Sequence, residues 1–240
     1  MGKSYVEYAT DQITVYPPPC PYKCAYCFWG SPLWKARARR IKPKPLKEAE
    51  RYVRLREHRI IVVSFTTDPY PPWKEVYTLT RQVLKILSEA RQHKIMILTK
   101  NPSIALRDLD IMKTHGNMWL GTTITQWKWV DRLKLEPKAP SPFMRSQALK
   151  WAHERGVKTW LSIEPIHKAS NPLAILENTI DHVDFYVFGK LNYAKTLGLE
   201  EPTPGEYREK LEPALKLLDS LGKPYLVKKE LKQVLEAGEP

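Results

Sequence analysis

Residues 60–99 read IIVVSFTTDPYPPWKEVYTLTRQVLKILSEARQHKIMILT. Positions 60–66 form a short apolar and β-branched run, which predicts a strand buried on both faces. Val76, Leu79, Val83, Ile86 and Leu87 then recur at helical spacing within residues 75–93. Positions 94–99 (KIMILT) are a second buried strand. A strand, a helix and another strand make one βαβ unit, whose strands are parallel and whose crossover is right-handed.

The same alternation continues in both directions. Upstream, residues 13–16 read as a strand halted by Pro17–Pro19, and 46–57 read as a helix. Downstream, Pro102 opens a helix that runs on through 103–114, and 118–125 is a strand. Ser141-Pro142 opens a helix to about 155, closed by Gly156, before a strand at 158–163. Asn171-Pro172 starts a helix to about 181, and 183–188 is a strand. A helix at 204–221 ends at Gly222, followed by a strand at 225–227 and a short final helix. This predicts one α/β domain over 1–240, a partial (β/α) barrel of about six to seven parallel strands with outer helices. An open doubly wound sheet is the alternative, although no glycine-rich phosphate loop follows an early strand.

The chain has 240 residues, 39 Lys and Arg against 26 Asp and Glu, and a net charge of +13. No apolar run reaches the length of a membrane span and the first ten residues lack a secretion core, so a cytoplasmic protein with no membrane partner is expected. Abundant Lys and Glu, few Asn and Gln and 21 prolines fit a thermophile. The basic segment 35–47 carries Lys35, Arg37, Arg39, Arg40, Lys42, Lys44 and Lys47 and no acid. With Trp34 beside it, this segment suits phosphate contact and base stacking, hence a nucleic-acid partner. A solvated surface, or docking of a partner subunit, is the other reading.

All three cysteines fall in the loop 17–34, as Cys20-Pro-Tyr-Lys-Cys24-Ala-Tyr-Cys27. An odd, clustered set without a disulfide partner points to metal. Three thiolates can hold three irons of a 4Fe–4S cube and leave the fourth iron for a small-molecule amine and carboxylate. Zinc is the alternative, but no fourth Cys or nearby His completes its usual set.

The spacing C-x3-C-x-aromatic-C, with Tyr26 in the aromatic place, resembles the radical S-adenosylmethionine superfamily. Phe65-Thr-Thr-Asp68-Pro-Tyr70, Leu98-Thr-Lys100 and the threonines at 122–125 resemble the spore photoproduct lyase subgroup. The resemblance implies a lyase or transferase that cleaves S-adenosylmethionine reductively to a 5′-deoxyadenosyl radical. It also implies an electron donor such as a ferredoxin or flavodoxin. The chain lacks the further cysteine that the resemblance associates with hydrogen donation in spore photoproduct lyase, which argues against literal spore photoproduct repair, although a tyrosine could take part in hydrogen transfer. Substrates other than nucleic acid stay open: a small molecule, a protein side chain, or none in a non-catalytic iron–sulfur or zinc module.

Strand ends at the C-terminal mouth of such a barrel carry its chemistry. Asp68 is the candidate for the methionine ammonium, and the resemblance gives Lys100 the methionine carboxylate. Thr123 and Thr125 share a face with Gly121, which would make room for the cofactor. Ser162 and Glu164 share a face at the next mouth, with Glu164 toward ribose. Gly189 permits close approach of adenine or substrate, and Lys190, Asn192 and Tyr193 are the candidates facing the substrate.

Overall fold

The computed structural model describes residues 2–4, 6–30, 32, 35, 37, 40–128 and 133–237. Eight strands form one sheet in sequential order: β1 (Gly2–Lys3), β2 (Asp11–Ile13), β3 (Ile60–Val63), β4 (Lys94–Leu98), β5 (Met118–Thr123), β6 (Lys158–Ile166), β7 (Phe185–Lys190) and β8 (Tyr225–Val227). β1 is antiparallel to β2, and every later neighbour is parallel. The seven parallel strands curl into a half-barrel with helices outside. Strand order never reverses, which excludes the doubly wound alternative.

Helices lying wholly within the described residues include α1 (Pro45–Arg54), α2 (Lys74–Ser88), α3 (Pro102–Ala105), α4 (Leu109–Met112), α5 (Pro142–His153), α6 (Pro172–Glu177), α7 (Ala194–Leu197), α8 (Pro204–Ser220) and α9 (Lys229–Glu236). Three begin with a capping side chain followed by proline. Ser141 accepts from Met144 N at 3.1 Å, Asn171 accepts from Ala174 N at 3.1 Å, and Thr203 forms a reciprocal box with Glu206. Each cap satisfies amides that the first turn leaves free, and the proline supplies helical φ where no N–H is needed. No helix among the described residues is long and apolar enough to cross a membrane.

Both faces of the sheet are buried, which explains the unbroken apolar runs. Ile61, Val63, Ile95, Ile97, Leu120, Leu161 and Phe188 pack outward with helix residues such as Leu84, Leu87, Leu149 and Leu211. Val62, Met96, Trp160 and Val187 face inward, where Val6, Tyr8 and Ala9 of the N-terminal segment cover them. Each large side chain so buried contributes about 1.5–3 kcal/mol.

Several boundaries differ from the sequence reading. The strand expected at 13–16 lies at Asp11–Ile13, and the one expected at 60–66 stops at Val63. Ser64 is the cause: its φ is +57°, its N–H donates to Ile13 O, and its hydroxyl accepts from Val15 N. The expected 103–114 helix is two short helices around a tight turn at Leu106–Asp108. There the carboxylate of Asp108 is buried and receives Tyr70 OH at 2.9 Å and Arg81 Nη1 at 2.7 Å.

Gly121 does not make room for a cofactor. It pairs with Trp160 across β5 and β6, and a Cβ there would lie 2.2 Å from Trp160 Nε1. The indole is fully buried and donates to Ile97 O at 3.2 Å. Gly121→Ala is therefore expected to destabilise the fold by about 1–3 kcal/mol through overpacking, read as a lower urea midpoint. Relief of strand entropy alone would raise the midpoint, so a rise contradicts this packing.

Candidate active site around the cysteine loop

The cysteine loop leaves β2 and is pinned from three sides. Tyr22 OH donates to Tyr70 O at 2.9 Å, Thr67 Oγ1 donates to Tyr16 O at 2.9 Å, and Ala25 N donates to Leu135 O at 2.8 Å. Cys20, Cys24 and Cys27 are all half-buried. Burial pushes the Cys20 thiol up to about 11, and the nearby Asp68 carboxylate adds to it. Burial also pushes Cys24 up to about 11, against the pull of the Lys100 ammonium. Cys20 feels the charge of Cys27, and Cys24 that of Cys20, so the three sulfurs form one electrostatic group. Among the described residues, no three His, Cys, Asp or Glu side chains converge as ligands of a single metal ion. A cube of four irons makes no such demand, because each thiolate takes its own iron.

Asp68 follows β3 and braces the end of β4. It accepts from Tyr70 N at 2.9 Å, Thr99 Oγ1 at 2.6 Å and Lys100 N at 2.6 Å. Burial raises its pKa in spite of these donors. A carboxylate offers about four acceptor positions, so roughly one remains for a ligand.

Lys100 and Tyr26 meet at a residue the sequence reading missed. Lys100 Nζ donates to Tyr26 OH at 2.7 Å and to Glu136 Oε1 at 3.0 Å, and Tyr26 OH also donates to Glu136. The other oxygen of Glu136 receives Arg145 Nη2. Arg145, equally missed, spends Nε on Pro140 O at 2.9 Å and Nη1 on Thr123 O at 2.7 Å. Glu136 and Arg145 are buried. Burial alone would raise the Glu136 pKa, but the Arg145 and Lys100 cations hold it well below the usual carboxylate range. The one sequence signal was Arg145 itself, which shares the buried stripe of α5 with Leu149 and Ala152.

At the end of β5, Thr123 and Thr125 are buried. Thr125 Oγ1 and both amide atoms of Gln126 are buried without a partner. Such orphaned groups cost about 1–3 kcal/mol each and suit a polar ligand. Ser162 is buried on β6, and Glu164 pairs with Lys228 at 2.6 Å. A Cβ on Gly189 would meet Glu164 Cδ at 2.6 Å. The close approach that Gly189 permits here is therefore made by Glu164.

No family model matches the sequence. An uncharacterised protein of Methanocaldococcus jannaschii is 28% identical over 210 residues, 80% of this chain and 75% of that protein. Among solved structures, a cysteine-to-serine variant of spore photoproduct lyase superposes with a TM-score of 0.72 at 12% identity, covering 94% of this chain and 78% of that one. Streptococcus suis SuiB bound to S-adenosylmethionine superposes with a TM-score of 0.68 at 14% identity, over 91% of this chain and 50% of its own. SuiB bound to its precursor peptide SuiA gives 0.67 at 16% identity. The chain therefore shares the fold of spore photoproduct lyase and SuiB. It spans about half the length of the SuiB chains.

On this fold the remaining candidates fall into two groups. Lys190 pairs with Glu201 and Asn192 with Glu230, while half-exposed Tyr193 sits at φ +60°. Neither of those pairs joins the Tyr26–Glu136 network. Lys35, Arg37, Arg40, Lys42 and Lys44 are exposed, as phosphate contacts require. Trp34 and Arg39 lie outside the described residues.

Proposed function

We propose that the chain is a radical S-adenosylmethionine enzyme acting on nucleic acid. Three cysteines at C-x3-C-x-Tyr-C spacing, in the loop after the first parallel strand of this fold, carry the reading. Cys20, Cys24 and Cys27 would each give one thiolate to a 4Fe–4S cluster. Burial raises the pKa of Cys20 and Cys24, and a bound metal charge would remove their protons. The bound pair of cluster and S-adenosylmethionine supplies one-electron cleavage of the sulfonium to a hydrogen-abstracting 5′-deoxyadenosyl radical, with the electron coming from a ferredoxin or flavodoxin. Lys100 binds the methionine carboxylate, and the last acceptor position of Asp68 serves the ammonium. Thr123, Thr125, Ser162 and Glu164 line the ribose and adenine end. The orphaned hydroxyl of Thr125 supports that placement.

The exposed cations of residues 35–47 support a nucleic-acid substrate, as does the likeness to spore photoproduct lyase, solved with a dinucleoside spore photoproduct. A peptide substrate is the second reading, favoured by the likeness to SuiB, solved with a precursor peptide. Salt separates them. Binding of labelled DNA or RNA is expected to weaken steeply with salt, with a log–log slope of about −0.7 to −0.9 per phosphate neutralised. Lys35→Glu, Arg37→Glu and Arg40→Glu together should flatten that slope. They should spare cofactor cleavage without substrate. Absence of binding at low salt would hand the site to the peptide reading.

A further inference from the structure

Glu136 lies outside every strand, yet distant parts of the chain end on it. Tyr26, between Cys24 and Cys27, donates to Oε1. Lys100, just past β4, donates to the same oxygen at 3.0 Å. Arg145 of α5 takes Oε2. One residue back, Leu135 O accepts the Ala25 N–H at 2.8 Å. A single buried carboxylate thus fixes the cysteine loop and the lysine together.

Charge and donor counts say what the arrangement awaits. Two cations face one carboxylate at Glu136, and the Asp68 carboxylate lies beside Lys100 as well. Arg145 and Glu136 are sealed from solvent, whereas the Lys100 side chain keeps 14% exposure. Arg145 is committed to Glu136, Pro140 O and Thr123 O, so it cannot turn toward a ligand. An ammonium has three donors. Tyr26 and Glu136 take two of those on Lys100, which leaves the third without a partner among the described residues.

We propose that Glu136 is a positioning residue, which aims the third donor of Lys100 at the carboxylate of S-adenosylmethionine and ties that aim to the cysteine loop through Tyr26. This rests on the cofactor reading above.

A double-mutant cycle tests it. Iron content and calorimetric affinity for S-adenosylmethionine are measured for the reconstituted wild type, Glu136→Gln, Lys100→Ala and the double variant. Glu136→Gln should keep its iron and lose about tenfold in affinity, the scale of one charge-assisted bond. The double variant should bind no more weakly than Lys100→Ala alone, because Glu136 acts through Lys100. A merely structural role would make the losses additive, which overturns the proposal. So would unchanged or tighter binding by Glu136→Gln, since Glu136 would then be idle or competing for Lys100. Unchanged affinity in Lys100→Ala overturns the cofactor reading instead, which separates the two failures. If Glu136→Gln fails to fold, Glu136→Asp keeps a charge for Arg145 but draws the carboxylate back from Lys100 and Tyr26. The same affinity loss and the same non-additivity are expected of it.

Discussion

Arg145→Met is expected to cost about 3–5 kcal/mol of stability, the scale of breaking a buried ion pair from one side. The methionine fills similar space but takes from the buried Glu136 carboxylate its guanidinium partner. It also strips Pro140 O and Thr123 O of their donors. The loss should depend on pH. In the wild type the folded pKa of Glu136 is depressed, so its contribution is present above the ordinary value of 4.5 and lost only as pH falls far below it. Without Arg145, burial dominates and the folded pKa rises. The variant's penalty should therefore be full at pH 7 and shrink as Glu136 protonates at acid pH. Urea unfolding of both proteins at pH 7 and pH 4 reads this directly. An equal gap at the two pH values would mean the cost comes from the lost carbonyl contacts alone.

The parts of the fold that were legible in sequence are the local ones. Ser141-Pro142 and Asn171-Pro172 announce helix starts because cap and proline act within one turn. The runs at 60–66, 94–99 and 118–125 announce strands because burial on both faces leaves no polar alternation. Strand ends were less legible, because Ser64 closes β3 through a left-handed turn that its residue type does not announce. Tyr26 and Lys100 were legible singly, but their convergence with Arg145 on Glu136 was not. Its bonds join residues 110, 36 and 9 apart in sequence, and only the curl of the sheet brings them together. The glycines mark an intermediate case. Gly121 and Gly189 signal that something approaches closely, but not that it is Trp160 in one case and Glu164 in the other.

Loss of any one thiol carries the largest expected effect on function. Cys20→Ala, Cys24→Ala and Cys27→Ala should each abolish the cluster, because three thiolates are the only protein ligands proposed and no other cysteine exists to replace one. The fold should survive, since the cysteines are half-buried loop residues outside both packed cores. Circular dichroism should therefore match the wild type while iron is lost. Loss of both together would mean that the thiols serve packing rather than metal.

The most direct measurement is iron per chain after anaerobic reconstitution, followed by reduction with S-adenosylmethionine present and assay for 5′-deoxyadenosine. The account predicts about four irons per wild-type chain, 5′-deoxyadenosine formed on reduction, and neither in Cys24→Ala. One zinc per chain, or full iron in Cys24→Ala, would contradict it.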